Sequence, residues 1–481
     1  MKKYYLICLL SCYCTTTFAD IQEQDALRLW KQHIQQLTQQ QRESHTLNVS
    51  QPINEIIIEG QSFEVAPNAL SVGQALYIAL NQQLWQYVEK LLEQYKTFDE
   101  HKPELIWFAE GALARERGDF ALAAQRYRQL LQVQPDFLRG QLDLARILFE
   151  DKKNAESTAL FRKIAEQPLP SSVLGNIHDY QLALKQRESW SSSLTFGYLY
   201  NKNLNQSSQK EQCLLENQGQ CLINRHSPEA INAHGWRYDF NTQRRISLRG
   251  HHGLAFYFNS YGQFYPHEHD YNENTLKTYG GYSFHNANTE ITVAPLLEHN
   301  TFGNHRHYHS WGGHFEWTQN ISPRHLWNMQ FEQKRLRYSE HYSSFSKANL
   351  SSLFSTWYYL YSPKTTLFGG GDWQYRYTSD QAQTYHLVGM RLGLNHQFDF
   401  GLNATVMTLL RRYNYQGYHA ALEVTRKDYQ QIYIALFKMP QWNLKGFTPN
   451  LLFKHTRNRS NANYVYSYKQ SEVQLNFEFQ F

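Results

Sequence analysis

The sequence predicts a two-domain chain: an all-α domain of short helical repeats, followed by an antiparallel transmembrane β-barrel of about 14 strands. Three observations carry this. A regular helical motif with a 34-residue period occupies the first third of the chain. From Ser189 onward the apolar period changes to two and aromatic residues crowd in. The chain stops on Gln474-Leu-Asn-Phe-Glu-Phe-Gln-Phe481, an unbroken alternation of polar and apolar side chains ending in phenylalanine.

The N-terminal residues 1 to 19 read as a secretory signal. Lys2 and Lys3 precede the apolar stretch Tyr4 to Leu10, and Thr17-Phe18-Ala19 makes a small-residue site with cleavage after Ala19. Leu9-Leu10-Ser11-Cys12 also permits a lipobox, although its apolar region would be short and Leu10 is large for its place. Residues 20 to 68 form an N-terminal extension, with a Gln-rich helical piece (Gln35 to Gln41) and a strand-like run (Ile56 to Ile58), read as a tether or cap.

The periplasmic repeat domain is placed at 69 to 188. Its centre, Pro103 to Pro135, fits the tetratricopeptide repeat (TPR): Trp107, Gly111, Ala114, Gly118, Ala123, Tyr127 and Pro135 fall at that repeat's offsets, with Glu110 where an apolar residue is usual. One period later, Ala145, Leu148, Ser157, Phe161 and Ile164 continue the pattern, degenerate at Gln141 and Ser157. A weaker helical pair precedes, with Ala75, Leu76, Ala79 and Leu80 as one stripe and Val88, Leu91, Leu92 and Tyr95 as the other. Two to three repeats make one binding surface for an extended peptide or a partner helix. The plainer alternative is a packing module that props up the barrel.

The barrel is placed at 189 to 481, with strands expected at 189–201, 233–248, 253–264, 274–285, 290–299, 307–321, 325–337, 347–361, 366–378, 384–397, 401–413, 425–438, 447–457 and 470–481. An even number puts both ends on the periplasmic side. Tight connections at 249–252, 286–289, 322–324, 362–365 and 398–400 alternate with longer polar ones, as periplasmic turns alternate with outer loops. Mean hydropathy is −0.64 and no apolar run is long enough for a membrane helix, so any spanning falls to strands.

In the closing segment, Val473, Leu475, Phe477, Phe479 and Phe481 share a face suited to lipid, and Gln474, Asn476, Glu478 and Gln480 one suited to a wet lumen. The segment resembles the signal read by the barrel-assembly machinery. Gln474, Phe479 and Phe481 match it; Asn476 stands where glycine is usual.

Of five cysteines, Cys8, Cys12 and Cys14 fall in the signal. Cys213 and Cys221 remain, eight positions apart in a polar outer loop, and an isolated pair in an oxidising compartment predicts a disulfide. Histidine is abundant, with 22 in all, and His267-Glu268-His269-Asp270 and His305-Arg306-His307-Tyr308-His309 both fall in expected outer loops. Imidazole is a common ligand, but no spacing fixes a geometry, and polar filling is the simpler reading. The sequence therefore assigns no metal, cofactor or catalytic residue, and it contains no Gly-x-Ser-x-Gly, phosphate-loop, His-Glu-x-x-His or mature Cys-x-x-Cys motif.

Residues 20–188 carry net charge −5 and residues 189–481 net +8. This division argues against nucleic acid and fits parts facing different environments. A basic barrel suits lipopolysaccharide phosphates or an acidic cargo.

The signal, the short repeat domain around Trp107 to Pro135, and the aromatic-rich barrel opening at Ser189-Trp190 together resemble the Slam family, the surface lipoprotein assembly modulators of type XI secretion. That resemblance implies an outer-membrane translocon and no enzyme. Its implied partners are a cargo surface lipoprotein or secreted haem- or iron-binding protein, outer-membrane lipid, the barrel-assembly machinery and periplasmic chaperones. Capture by the repeats and export driven by cargo folding outside would be the mechanism. The competing readings are a TPR-barrel exopolysaccharide exporter, which usually carries a longer repeat array, and a passive porin.

Overall fold

A computed structural model of the chain describes residues 66–217, 220–340, 347–420 and 422–481, with backbone only for 211–226. The expected signal, its cleavage after Ala19 and the extension up to residue 65 lie outside the described residues.

Among the described residues seven helices come first: α1 Ala69–Asn81, α2 Trp85–Tyr95, α3 Pro103–Glu116, α4 Phe120–Val133, α5 Leu138–Glu150, α6 Asn154–Ala165 and α7 Ser171–Arg187. Local chemistry sets their limits. Asn68 and Asp119 cap α1 and α4, their carboxamide or carboxylate oxygens accepting from Ser71 N at 2.8 Å and Leu122 N at 3.0 Å. Pro103 opens α3, where a missing amide hydrogen costs nothing. Gly118, at φ +78°, makes the turn into α4. The first six helices form three antiparallel pairs around one apolar core that includes Leu76, Val88, Phe108, Tyr127 and Leu148. The expected stripe of α1 holds, except that Ala75 is only half buried and Val72 joins the core instead. The seventh helix, which the repeat pattern does not announce, packs Ile177, Tyr180 and Leu184 against Phe149, Phe161 and Ile164 and closes the array.

A closed antiparallel barrel of fourteen strands follows: β1 Ser191–Lys202, β4 Asn232–Arg249, β5 His252–Phe264, β6 Glu273–His285, β7 Thr289–Phe302, β8 His305–Ser322, β9 His325–Tyr338, β10 Lys347–Ser362, β11 Thr365–Thr378, β12 Tyr385–Gln397, β13 Asn403–His419, β14 Val424–Lys438, β15 Phe447–Ser460 and β16 Tyr468–Gln480. Each strand pairs with its neighbours in sequence. The ring closes where β1 meets β16, from Ser193 opposite Gln480 to Lys202 opposite Ser471. Outside the ring, β2 Glu211–Asn217 and β3 Gln220–His226 make a separate hairpin in the long first outer connection.

Alternation along each strand separates two environments. Val293, Leu297, Trp357, Val388, Val406 and Leu475 are among the large apolar side chains left exposed on the outer wall, where lipid covers them. The other face is buried and mostly polar, with one apolar cluster that includes Leu326, Met407, Leu409, Ile432, Ile434 and Leu452. No helix among the described residues is long and apolar enough to cross a membrane; the strands do so.

Two expectations are corrected. His305 to His309 is not a loop but the first turnless stretch of β8, and the connection before it is only Gly303 and Asn304. Beyond the apolar band the outward positions His305 and His309 are polar as well as the buried His307, so the run looks like a loop in sequence. Likewise β13 runs on to His419 and β15 to Ser460, beyond the expected ends at 413 and 457.

Candidate functional site

The repeat domain offers one shared face built from the first helix of each pair. Tyr77 of α1 lies 6.2 Å, ring to ring, from Phe108 of α3. Arg115 of α3 reaches Glu150 of α5 through two bonds of 2.7 Å, and Arg146 joins the same carboxylate at 3.1 Å. Arg139 binds Asp143 at 2.9 Å while remaining half exposed. Burial disfavours the charge on Arg115 and Arg139, but their carboxylate partners outweigh it and raise both pKa values. Burial, reinforced by Asp143, holds the Tyr127 phenol well above its ordinary range. The face is thus apolar at Tyr77 and laced with fixed charge across α3 and α5, suited to a polypeptide carrying both kinds of group.

The motif residues support that face from behind. Ala114, Ala123 and Tyr127 are buried. A Cβ on Gly111 would meet the Tyr127 ring at 2.7 Å, so glycine there lets α3 and α4 approach. Trp107 packs half-buried against the core, and the Pro135 carbonyl accepts from Gln141 Nε2 at 2.6 Å. The two degenerate positions are satisfied by hydrogen bonds: Gln141 as above, and Ser157 by donating to the Ala145 carbonyl at 2.9 Å.

The loop between α5 and α6 docks on the barrel's inner mouth. Asp151 Oδ1 lies 3.0 Å from His251 Nε2 in the β4–β5 turn, and Asn154 donates to Ser247 Oγ at 3.3 Å. Arg187, ending α7, donates to Phe149 O at 2.9 Å and Asn154 Oδ1 at 3.2 Å, and its guanidinium lies 3.6 Å from the Phe149 ring centre. Arg244 of β4 binds Glu188 O at 2.9 Å. The tight turn at Gly250-His251 therefore shares a side with the repeats. No signal in the sequence marks this junction, because its partners lie on different domains.

Inside the barrel, several buried charges are matched. Lys277 pairs with Glu332 at 2.8 Å, Lys334 with Glu298 at 3.1 Å, and Tyr308 donates to Glu298 at 2.7 Å. Asp372 receives Arg391 at 2.7 Å and Arg411 at 3.2 Å. These side chains have almost no contact with solvent, unlike the free charges of a water-filled pore. His307, from the second histidine group, belongs to this interior, 2.8 Å from Asn300 Oδ1. His269 begins a short 3-10 turn, His269–Tyr271, away from it.

At the seam, Gln474 and Asn476 face the lumen, and outside it Phe479 stacks on Phe481 at 5.2 Å and meets Phe447 at a tilt, 5.0 Å between ring centres. Asn476 binds Asn450 Oδ1 at 3.1 Å and Gln474 Oε1 at 3.2 Å. Gly197 lies opposite, where a Cβ would strike Asn476 and the Leu475 carbonyl. The glycine missing at 476 is thus found across the seam. Cys213 and Cys221 lie in the β2–β3 hairpin, opposite Asn224 and Glu216. Their side chains are outside the described residues.

Comparison with known proteins agrees with this architecture over its whole length. The family model described as surface lipoprotein assembly modifier matches residues 190–481, and that for the family's N-terminal TPR repeats matches 58–161. The chain is 33% identical over 500 residues to the hemophilin secretion modulator of Acinetobacter baumannii, covering 100% of both. It is 24% identical to the surface lipoprotein assembly modifier of Pasteurella multocida, over 84% of this chain and 82% of the relative. With surface lipoprotein assembly modifier 1 of Neisseria meningitidis serogroup B it shares 22%, over 84% and 81%. A TPR array docked on the inner mouth of a fourteen-stranded barrel, matched by both models of one family, places the chain in the surface lipoprotein assembly modifier family.

Proposed function

We propose that this protein is an outer-membrane secretion component that captures a protein cargo on the α1–α3–α5 face of its repeats and passes it to the cell surface or medium. It acts by binding and conveying rather than by catalysis. The observation that carries the cargo class is the full-length match to a hemophilin secretion modulator, stronger than the match to the lipoprotein modifiers. The cargo on this reading is a soluble haem-binding protein of the hemophilin kind, with a surface lipoprotein as the second candidate. Barrel-assembly machinery and periplasmic chaperones serve insertion and cargo delivery.

Three features favour protein export over a passive pore or a polysaccharide channel. The lumen ion pairs at Glu332, Glu298 and Asp372 are almost wholly buried, and the inner mouth carries a repeat domain. The array is also short, three helical pairs and one closing helix among the described residues.

The test is secretion in cells lacking the protein and complemented with the full chain or with Tyr77→Ala/Arg139→Ala. Both side chains are about half exposed, so the repeat core stays intact. We expect the variant to lower haem-binding protein in the medium roughly tenfold or more, the loss of two interface anchors, at equal barrel levels. Unchanged export of every haemophore and surface lipoprotein would reject capture by this face.

A further inference from the structure

Nine cations on the four adjacent strands β13 to β16 divide by face. Arg411, Arg426, Lys438 and Lys454 point into the lumen, and each has a carboxylate: Asp372 at 3.2 Å, Asp428 at 2.6 Å, Glu478 at 2.8 Å and Glu472 at 4.0 Å. Arg412, Lys427, Arg457, Arg459 and Lys469 point outward, and among the described residues none has a carboxylate partner. The strands supply none there, because Asp428, Glu472 and Glu478, their three acidic residues, all face the lumen.

Register brings the five together. Lys469 stands directly opposite Arg457 across β15–β16. Arg459 and Arg412 both lie opposite Tyr429, one from each side, and the Arg412 guanidinium sits 5.3 Å from that ring centre. Lys427 is the next outward residue beyond Tyr429. Like charges directly opposite on a sheet destabilise it unless an anion lies between them.

Height identifies the anion. Phe453 and Val473 are lipid-facing apolar residues, and Arg457 and Lys469 lie four positions farther from the periplasmic turns on the same strands. At the rise of a tilted strand, that places Arg457 and Lys469 about 10 Å above Phe453 and Val473, at the level of outer-leaflet headgroups, with Arg412 nearer the edge of the apolar band, two positions beyond Leu410. Tyr429, between them, is the amphipathic side chain expected at that boundary.

We propose that this patch binds the phosphate groups of an outer-leaflet glycolipid of the lipid A type. The bound lipid neutralises the opposed cations and fixes the tilt of β13 to β16 beside the β1–β16 seam. The site is independent of the cargo assignment.

The test uses the full-length protein in detergent with a photoreactive residue in place of Gln431, which lies opposite Arg457 on the outward face. Titration with lipid A should give saturable crosslinking. Dephosphorylated lipid A should crosslink poorly, and excess inorganic phosphate should not displace lipid A. Arg457→Gln/Arg459→Gln/Lys469→Gln should raise the midpoint about a hundredfold, three interfacial cations being removed. An equal midpoint for dephosphorylated lipid A overturns the proposal without any variant. So does displacement by free phosphate, or an unchanged midpoint in the triple variant whose barrel still shows heat-modifiable mobility.

Discussion

Gly197 determines how closely the two ends of the barrel wall meet. A Cβ there would lie 2.8 Å from Asn476 Cα and press on the Leu475 carbonyl, both part of the seam ladder. Gly197→Ala should therefore push β1 from β16 at a point where nine flanking pairs hold them in register, costing about 1–3 kcal/mol as overpacking does. The readout is the temperature at which heat-modifiable mobility is lost on gels; we expect it to fall, and Asn476→Gly in the same chain to recover part of the loss. A transition equal to that of the parent would contradict the close approach. Sequence alone showed Asn476 as a departure from the assembly signal, because the compensating glycine lies on a strand nearly 280 residues away. Gln141 and Ser157 behave alike: they read as decay of the repeat, whereas each spends its polar group on a backbone carbonyl.

Elements were legible where the surroundings impose a period. All fourteen strands show in the sequence, since lipid on one side and a mostly polar lumen on the other favour alternation, although on β13 and β14 Met407, Leu409, Ile432 and Ile434 make the inner face apolar too. Strand ends were less so. Beyond the apolar band, outward positions are free to be polar, which hides the extensions of β13 and β15 and the strand character of His305 to His309. The hairpin β2–β3 lies in a connection that nothing forces to alternate. We propose the Cys213–Cys221 disulfide within it on the grounds of compartment and isolation. The hairpin register is irregular between Cys213 and Glu216, and this sets neither cysteine directly opposite the other. The expected result is that non-reduced mature protein takes up no thiol reagent at either position and takes up two equivalents after reduction. Labelling of both before reduction refutes the pairing.

For the whole molecule, the decisive contact is the one between its parts. Asp151 and Asn154 are almost wholly buried between the repeats and the β4–β5 turn, and Arg187 ties α7 to the same loop. Sequence could not show this: each residue is unremarkable on its own helix or turn, and only the fold brings them together. If the repeats hold cargo for the barrel, their orientation over the mouth matters more than their presence. Asp151→Ala/Asn154→Ala takes the Asp151 carboxylate from His251, leaves Ser247 Oγ with only its bond from Arg245 at 2.7 Å, and removes the Asn154 acceptor of Arg187, a loss of about 1–3 kcal/mol in all. Neither residue belongs to the cargo face or to a membrane strand. The double variant should therefore insert normally and keep its helices. Its repeat domain should swing more freely, so that protease cuts faster between Arg187 and Trp190 in outer-membrane preparations, and export should fall with it. Faster cutting with full export would show that the junction holds the domain without directing cargo; cutting at the parental rate would show that the dock does not depend on these two side chains.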